Sequence, residues 1–203
     1  MRLKRCMDVM ISLAVLVVTS PLWVVIALAV WLESGRPILF RQQRVGKDFS
    51  SFEILKFRTM RVAATGPSLT VAGDNRISRV GRFLRLTKAD EFPQFWNVLR
   101  GDMSVVGPRP EVPKYVELFK ARYRNILAVR PGITDLASIR YRNEEAILAQ
   151  SQDPLREYEE HILPIKLDLA EQYLRKQSFL SDLSIIVQTA VATLCPAAFG
   201  RDD

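Results

Sequence analysis

The feature that most constrains this chain is a run near its N-terminus, Val9 to Leu32, in which no side chain is formally charged. The run reads VMISLAVLVVTSPLWVVIALAVWL and is apolar almost throughout. At about 1.5 Å per residue a straight helix of this length reaches roughly 36 Å, more than the roughly 30 Å hydrocarbon core of a bilayer. The run therefore predicts a helical segment that enters a membrane.

Ser20 and Pro21 lie in the middle of this run. Proline lacks a backbone N–H and crowds the preceding turn, so the helix is expected to break or kink at this position. A carbonyl that loses its helical donor inside a membrane needs another partner, and the hydroxyl of Ser20 or Thr19 is available.

Positive charge flanks both ends of the run. The flanking residues are Arg2, Lys4 and Arg5 before it and Arg36, Arg41, Arg44 and Lys47 after it. The charge bias that orients membrane segments is then nearly balanced, as it would be if both ends stayed on the cytoplasmic side. We predict a helix-break-helix hairpin over residues 1–35 that dips into one leaflet. A kinked span and a signal peptide cleaved after Ala27-Leu28-Ala29 are the alternatives.

Residues 36–203 are predicted to form one compact α/β domain, mostly helical with a small β element. The whole chain has 203 residues, 48% of them hydrophobic, with 29 Lys and Arg against 22 Asp and Glu. A net charge of +7 favours anionic partners such as nucleotide phosphates, acidic lipid or nucleic acid. His161 is the only histidine, which excludes sites that need several imidazoles and makes Ser-His catalysis unfavourable.

Three segments of the domain have recognisable patterns. Phe52 to Met60 predicts a strand or extended segment in which Lys56 and Arg58 share a face. Ile77 to Leu86 predicts a basic amphipathic helix, which either lies on an anionic bilayer or presents a solvated face. Phe179 to Leu194 predicts an apolar helix that packs on the core or lies at the membrane. A loop is predicted from Ala63 to Asn75, between the first two of these segments.

Adjacent carboxylates, Asp90 and Glu91, precede an apolar helix pattern that stops at Gly101. If Asp90 is the N-cap, Pro93 falls in the first turn, and the helix dipole favours both ionised acids and a nearby phosphate. Successive helical residues point about 100° apart, so the two acids are suited to different roles. One would attack or bind Mg²⁺, and the other would position groups or accept a proton. Simple helix capping is the alternative.

The turn Gly107-Pro108-Arg109-Pro110 is stiff, because prolines restrict the backbone on both sides of Arg109. A guanidinium that is already held in place matches two phosphate oxygens with its planar fork, so the turn is a candidate diphosphate clamp. Lys56 and Arg58 would add cations, and Mg²⁺ would complete the neutralisation because it prefers carboxylate and phosphate oxygen. A plain surface turn is the alternative.

Several motifs in a fixed order resemble the monotopic phosphoglycosyl transferases of the bacterial sugar transferase family over about residues 2 to 190. They are Lys4-Arg5 through Asp8, Ser20-Pro21, FRQQRVG (residues 40–46), KFRTM (56–60), TKADEFPQ (87–94), NVLRGDMSVVGPRP (97–110) and VRPGIT (129–134). The resemblance implies a re-entrant helix broken at Ser20-Pro21 that enters and leaves the same leaflet. A small catalytic domain with interfacial helices would lie at the cytoplasmic face of the bacterial inner membrane, in the short catalytic form of the family.

The resemblance also implies a reaction. Asp90 would attack the β-phosphate of a UDP-sugar, release UMP and hold the phosphosugar as an acyl phosphate. Polyprenol (undecaprenyl) phosphate would then accept the phosphosugar in a ping-pong scheme, the first membrane step of glycoconjugate or exopolysaccharide assembly. Mg²⁺ is required, with Asp90 as its ligand and Glu91 as partner in positioning or proton transfer.

Further implications concern binding. Arg109, with Pro108 and Pro110, would hold phosphate, and Arg142 would belong to the substrate pocket. The partners are then a UDP-sugar, polyprenol phosphate and membrane lipid, and nucleic acid is not among them. The alternative function is a non-catalytic, basic, membrane-anchored module that binds acidic lipid or nucleic acid. The sugar and the oligomeric state are left open.

Overall fold

The structure is a computed structural model that describes residues 2–61 and 69–194, so residues 63–68 of the predicted loop and the C-terminal tail lie outside the described residues. The described part is mostly helical with two small sheets, which confirms the predicted balance of helix and strand. The helices are α1 (Arg2–Ser34), α2 (Arg79–Thr87), α3 (Gln94–Arg100), α4 (Pro113–Leu118), α5 (Lys120–Ile126), α6 (Leu136–Arg140), α7 (Glu144–Gln150), α8 (Pro154–Glu157), α9 (Leu163–Lys176) and α10 (Phe179–Leu194). The strands are β1 (Leu39–Val45), β2 (Ser51–Phe57), β3 (Ser104–Val106) and β4 (Gly132–Thr134).

Residues 2–34 form one helix, α1, with Pro21 in its interior, so a bend at Ser20-Pro21 would be a kink within this helix and not a gap between two helices. Pro21 removes the backbone donor that would bond the Val17 carbonyl four residues earlier. The Ser20 hydroxyl donates to that carbonyl at 2.8 Å, which confirms the predicted use of this side chain. The Thr19 hydroxyl likewise donates to the Val15 carbonyl at 2.7 Å. The replacement hydrogen bond explains how the helix tolerates proline in its interior.

Most apolar side chains of α1 are exposed. Within the described residues, α1 is the one helix that is long and apolar enough to cross a membrane, by length and composition. A narrow face is buried against the domain and includes Met7, Ser12, Ile26 and Val30. The exposed side chains, such as Val18 at 77% and Leu32 at 71%, form the rest of the surface of the helix. An apolar surface of this size is more stable in contact with lipid or protein than with water.

The N-terminal end of α1 is bound to the domain by polar contacts. The Asp8 carboxylate is buried and accepts hydrogen bonds from the Ser104 hydroxyl at 2.9 Å and the Val105 N–H at 3.0 Å. Lys4 forms an ion pair with the buried Asp182 of α10 at 2.5 Å. Arg5 donates to the last carbonyls of α3, at Val98 and Leu99.

The C-terminal end of α1 is bound to the same domain. Ile26 and Val30 pack with Phe57 and Leu84 in a small buried cluster. The Glu33 carboxylate accepts from the first N–H groups of α2, at Arg79 and Val80, with distances of 2.7 and 2.8 Å. These contacts satisfy backbone donors that have no partner within the helix. One compact unit therefore contacts both ends of α1.

Strands β1 and β2 form an antiparallel hairpin in which Leu39 is opposite Phe57. The Asn97 side chain of α3 fastens this hairpin, since its Oδ1 accepts from the Leu55 N–H at 3.1 Å and its Nδ2 donates to the Glu53 carbonyl at 2.7 Å. The buried amide thereby fixes the end of β2, which carries Lys56, relative to α3.

Strands β3 and β4 are short, parallel and almost entirely buried. Two glycines make their close approach possible: a Cβ built on Gly132 would lie 2.1 Å from the Gly107 nitrogen, and one on Gly107 would lie 2.6 Å from the Arg130 carbonyl oxygen. No side chain fits at either position. The Gly132 N–H donates to the Pro108 carbonyl at 2.9 Å, so this crossing fixes the start of the Pro-Arg-Pro turn.

Besides α1, helices α2 and α10 each expose large apolar side chains on the surface. The predicted basic amphipathic helix forms as α2 but begins at Arg79, because the Ser78 side chain caps it by accepting from the Gly81 N–H. Phe83 and Leu86 of α2 are 64% and 70% exposed. The exposed large apolar side chains of α10 include Phe179, Leu180, Leu183, Val187 and Val191.

Candidate active site

Asp90 and Glu91 lie in a single 3-10 turn, Ala89–Glu91, between α2 and α3. Lys88 has a left-handed backbone with φ of 57°, which ends α2 and redirects the chain into this turn. The expectation that Asp90 is the N-cap of the next helix is wrong. Phe92 and Pro93 already have helical dihedral angles, so α3 follows the turn directly and begins at Gln94, with Pro93 before it.

The Asp90 side chain is buried and poor in partners. The residue is 7% exposed, and its Oδ1 has no hydrogen-bond partner among the described residues. Burial raises the pKa of Asp90 above its ordinary value, while the charge of Lys56 acts in the opposite direction and that of Glu91 adds to the rise. A carboxylate with a free oxygen in such surroundings is suited to receive a new bond or ligand.

Glu91 is largely shielded from solvent, with 15% of its side chain exposed, and it is tightly paired. Its Oε1 accepts from Lys56 Nζ at 2.7 Å and from Arg109 Nη2 at 2.7 Å. Burial alone would raise the pKa of Glu91, but the charges of Arg109 and Lys56 and their hydrogen bonds outweigh it and hold that pKa well below its usual range. Glu91 also raises the pKa of Arg109. The structure thus brings Lys56, Glu91 and Arg109 together as one ionised cluster.

The turn that carries Arg109 is held from both sides. The Arg109 N–H donates to Asp135 Oδ2 at 3.1 Å, and the other oxygen of Asp135 caps α6 by accepting from the Ser138 N–H at 2.7 Å. From β1, Arg44 Nη1 donates to the Pro110 carbonyl at 3.0 Å. The guanidinium of Arg109 is therefore fixed by its backbone as well as by Glu91.

Arg58 and Arg142 are not part of this cluster. Arg58 follows the end of β2, so it does not share a strand face with Lys56 as predicted. It is 6% exposed and its Nη2 donates to the carbonyls of Ser34 and Gly35, at 2.7 and 2.6 Å, where it stabilises the C-terminal end of α1. Arg142 is half-buried in the turn after α6 and makes no hydrogen bond or ion pair with the described residues.

A metal site made of protein ligands alone is not present in the described ranges, which contain no group of three or more His, Cys, Asp or Glu side chains near one another. Mg²⁺, however, is commonly held by one or two carboxylates together with substrate phosphates and water. The free Oδ1 of Asp90 offers one hard oxygen ligand of that kind. The residues present therefore fit a metal ion that arrives with a phosphate-bearing substrate.

Three residues of this region were not predicted as site residues from the sequence. Arg44 lies within FRQQRVG and supports the Pro-Arg-Pro turn, while Asp135 holds both that turn and α6. A capping signal marks Asp135, since an aspartate stands directly before the helical stretch LASIR. Gln94, which directly follows Pro93, is 1% exposed with an unpartnered carboxamide nitrogen, and only the fold reveals this.

A long apolar helix and a buried carboxylate beside fixed cations define a membrane-associated protein with a site suited to anionic groups. The chain belongs to the bacterial sugar transferase family, whose model matches residues 1–196.

Individual relatives agree with this assignment. A Caulobacter vibrioides protein named UDP-glucose:undecaprenyl-phosphate glucose-1-phosphate transferase is 46% identical over 142 residues, which cover 68% of this chain and 53% of that protein. Proteins of the same name from Klebsiella pneumoniae and Escherichia coli (strain K12) are 40% and 38% identical, each covering 92% of this chain and 39% of the relative. The chain thus spans about half or less of the length of these curated relatives.

Proposed function

We propose that the protein transfers a phosphosugar from a UDP-sugar to polyprenol (undecaprenyl) phosphate, with release of UMP, through a covalent intermediate on Asp90. The observation that carries this proposal is the free, buried Oδ1 of Asp90 next to the cluster formed by Lys56, Glu91 and Arg109. The names of the three relatives support the donor and acceptor classes.

In the first step an Asp90 oxygen forms a bond to the β-phosphorus of the donor. The bond from that phosphorus to the oxygen bridging the α-phosphate breaks, and UMP leaves with the electron pair. Lys56 lowers the pKa that burial has raised, which keeps a larger share of Asp90 ionised and able to attack. The fixed guanidinium of Arg109 stabilises charge on the phosphoryl oxygens.

In the second step a phosphate oxygen of the polyprenol phosphate attacks the same phosphorus, and the Asp90 carboxylate leaves. Both nucleophiles are anions, so neither displacement needs a base to remove a proton. Glu91 remains ionised because two cations hold its proton affinity low. Of the two roles predicted for Glu91, the geometry therefore favours positioning over proton transfer.

A divalent cation fits this scheme. Mg²⁺ bound by Asp90 together with the donor diphosphate would neutralise phosphate charge during the reaction. Pro108 and Pro110 restrict the Arg109 turn, and Arg142, which has no protein partner in the described ranges, is available to contact the substrate. Arg58 contributes in a different way from the predicted phosphate contact, by holding the end of the membrane helix on the domain.

The contacts of α1 support a monotopic attachment. Lys4, Asp8 and Glu33, near opposite ends of the helix, all bind the same domain. A helix that crossed the bilayer would carry its ends to opposite surfaces, out of reach of one soluble domain. Residues 1–35 then form a re-entrant anchor and residues 36–203 a catalytic domain at the cytoplasmic face of the bacterial inner membrane. The exposed apolar side chains of α2 and α10 would lie at the interface.

The test is UMP release by the purified protein, in detergent or nanodiscs, from a panel of UDP-sugars with and without Mg²⁺. We expect release with at least one donor, dependence on the metal, and loss of release in Asp90→Asn. A matched control is Asp48→Asn, which changes an exposed aspartate in the β1–β2 connection. Binding to acidic vesicles without UMP release from any donor would instead identify a non-catalytic binding module.

A further inference from the structure

Gln94 is a buried polar residue, four positions after Asp90 in the chain, whose side-chain nitrogen has no partner among the described residues. It is the first residue of α3 and is 1% exposed. A buried amide N–H that lacks a partner costs free energy, so native proteins rarely keep one unless another state of the molecule uses it.

Asp90 has the complementary property four residues earlier, since its buried Oδ1 is also unpartnered. Phe92 and Pro93 between the two residues have helical dihedral angles. The backbone hydrogen bonds around these residues span three positions, as in a 3-10 helix, which rises about 2.0 Å per residue. Gln94 therefore begins roughly 8 Å along the chain from Asp90, a span that its side chain and a phosphoryl group bonded to Asp90 can bridge together.

Gln94 does not serve to hold Asp90 in this state, because neither of the two atoms has found a partner. Nor does it belong to the ionised cluster, in which Glu91 is satisfied by Lys56 and Arg109. An acceptor that arrives with the substrate would give the Gln94 nitrogen a partner. A phosphoryl group bonded to Asp90 brings such acceptors, its non-bridging oxygens, to the space beside the carboxylate.

We propose that Gln94 is a further catalytic residue, whose carboxamide N–H donates to a non-bridging oxygen of the phosphoryl group as that group becomes bonded to Asp90. This inference rests on the proposed function. A neutral amide suits the task because it cannot lose its proton to the phosphate and adds no charge that would pair with Asp90 before the substrate binds. The hydrogen bond from Gln94 would act mainly while the bond between Asp90 and phosphorus forms, and less in the initial complex with the UDP-sugar.

Single-turnover kinetics of the full-length protein in nanodiscs test the proposal. Gln94→Met keeps the approximate size of the side chain and removes the donor. We expect the rate of the UMP burst to fall about 10²-fold or more, as when one preorganised donor to a developing oxyanion is lost. In this variant the UDP-sugar concentration that gives the half-maximal burst rate should change little, and the melting temperature of the protein should not fall. Gln43→Met, the same substitution at an exposed position of β1, is the control and should keep the wild-type burst.

The outcomes separate two failures. A wild-type burst together with an undiminished burst in Gln94→Met overturns the role of Gln94 and leaves the proposed transfer intact. A slow burst that merely follows a lower melting temperature also overturns it and assigns Gln94 to folding. Absence of any burst or covalent adduct in the wild-type protein overturns the proposed transfer itself.

Discussion

Asp90 and Glu91 are neighbours in one turn and are both largely shielded from solvent, yet their surroundings move their pKa values in opposite directions. Glu91 has two cations within 2.7 Å, whereas Asp90 keeps an oxygen with no partner among the described residues. Burial alone does not determine the charge of an acid, because the partners it finds decide whether the ionised form is stabilised. One acid serves to order the site, and the other is left free to react.

The largest combined effect on activity and stability expected from this contrast follows loss of the partnered acid. Glu91→Gln leaves Lys56 and Arg109 without their counter-charge and frees Arg109 from its position. We expect UMP release to fall about 10²-fold through misplacement of the guanidinium. The free energy of unfolding should fall by about 2 kcal/mol. This loss is smaller than for a fully enclosed ion pair, because solvent reaches Arg109. Steady-state kinetics and denaturant unfolding measure the two effects. Wild-type activity in this variant would show that Glu91 orders nothing.

A smaller effect is expected on the pH dependence. Lys56 lowers the pKa of Asp90, so Lys56→Met should raise that pKa further. Asp90 must be ionised to attack, and the acidic limb of kcat/KM should therefore move to higher pH, with roughly 10-fold lower activity near neutrality. The pH profile of UMP release measures the shift. A limb that stays in place or moves to lower pH would contradict the electrostatic role of Lys56.

The unpartnered acid should have a modest cost in stability. Because burial raises the folded-state pKa of Asp90 above its unfolded value, the charged form is disfavoured by folding, and this penalty is present above the folded-state pKa. Asp90→Asn should thus raise the melting temperature at pH 7, without added metal, while abolishing activity. The gain should vanish as the pH falls to about 4, near the ordinary pKa of aspartate. A variant that is less stable at pH 7 would show that the ionised carboxylate is stabilised by the fold.

The smallest effect concerns a polar group in α1 that does find a partner. Ser20→Ala removes the donor to the Val17 carbonyl and should destabilise the protein by about 1 kcal/mol, with little change in catalysis. In Ser20→Ala with Pro21→Ala, the restored backbone N–H should recover much of that loss. Thermal unfolding in nanodiscs compares the two variants. Equal destabilisation in both would mean that the Ser20 hydroxyl does not compensate for Pro21.

Local patterns predicted the long apolar helix α1, the helices α2 and α10 and the strand β2 well, because hydrophobic periodicity acts over a few positions. They failed where distant segments decide the outcome. Asp90 looked like a helix cap from its neighbours, but the left-handed Lys88 and the helical Phe92 place it in a separate turn. Arg58 looked like a substrate cation, but its place at the end of α1 depends on how that helix packs. The pairing of Glu91 with Lys56 and Arg109 joins residues 35 and 18 positions apart, beyond the reach of any local pattern.

The central claim is that a carboxylate oxygen of Asp90 forms a covalent bond to the phosphosugar. The intact mass of the protein tests this claim most directly. Protein incubated with an accepted UDP-sugar and Mg²⁺, without polyprenol phosphate, should gain the mass of one phosphosugar, and later addition of the acceptor should remove it. Asp90→Asn should gain nothing. An adduct that persists in Asp90→Asn, or a wild-type protein that releases UMP only when the acceptor is present and never carries the added mass, would contradict the account.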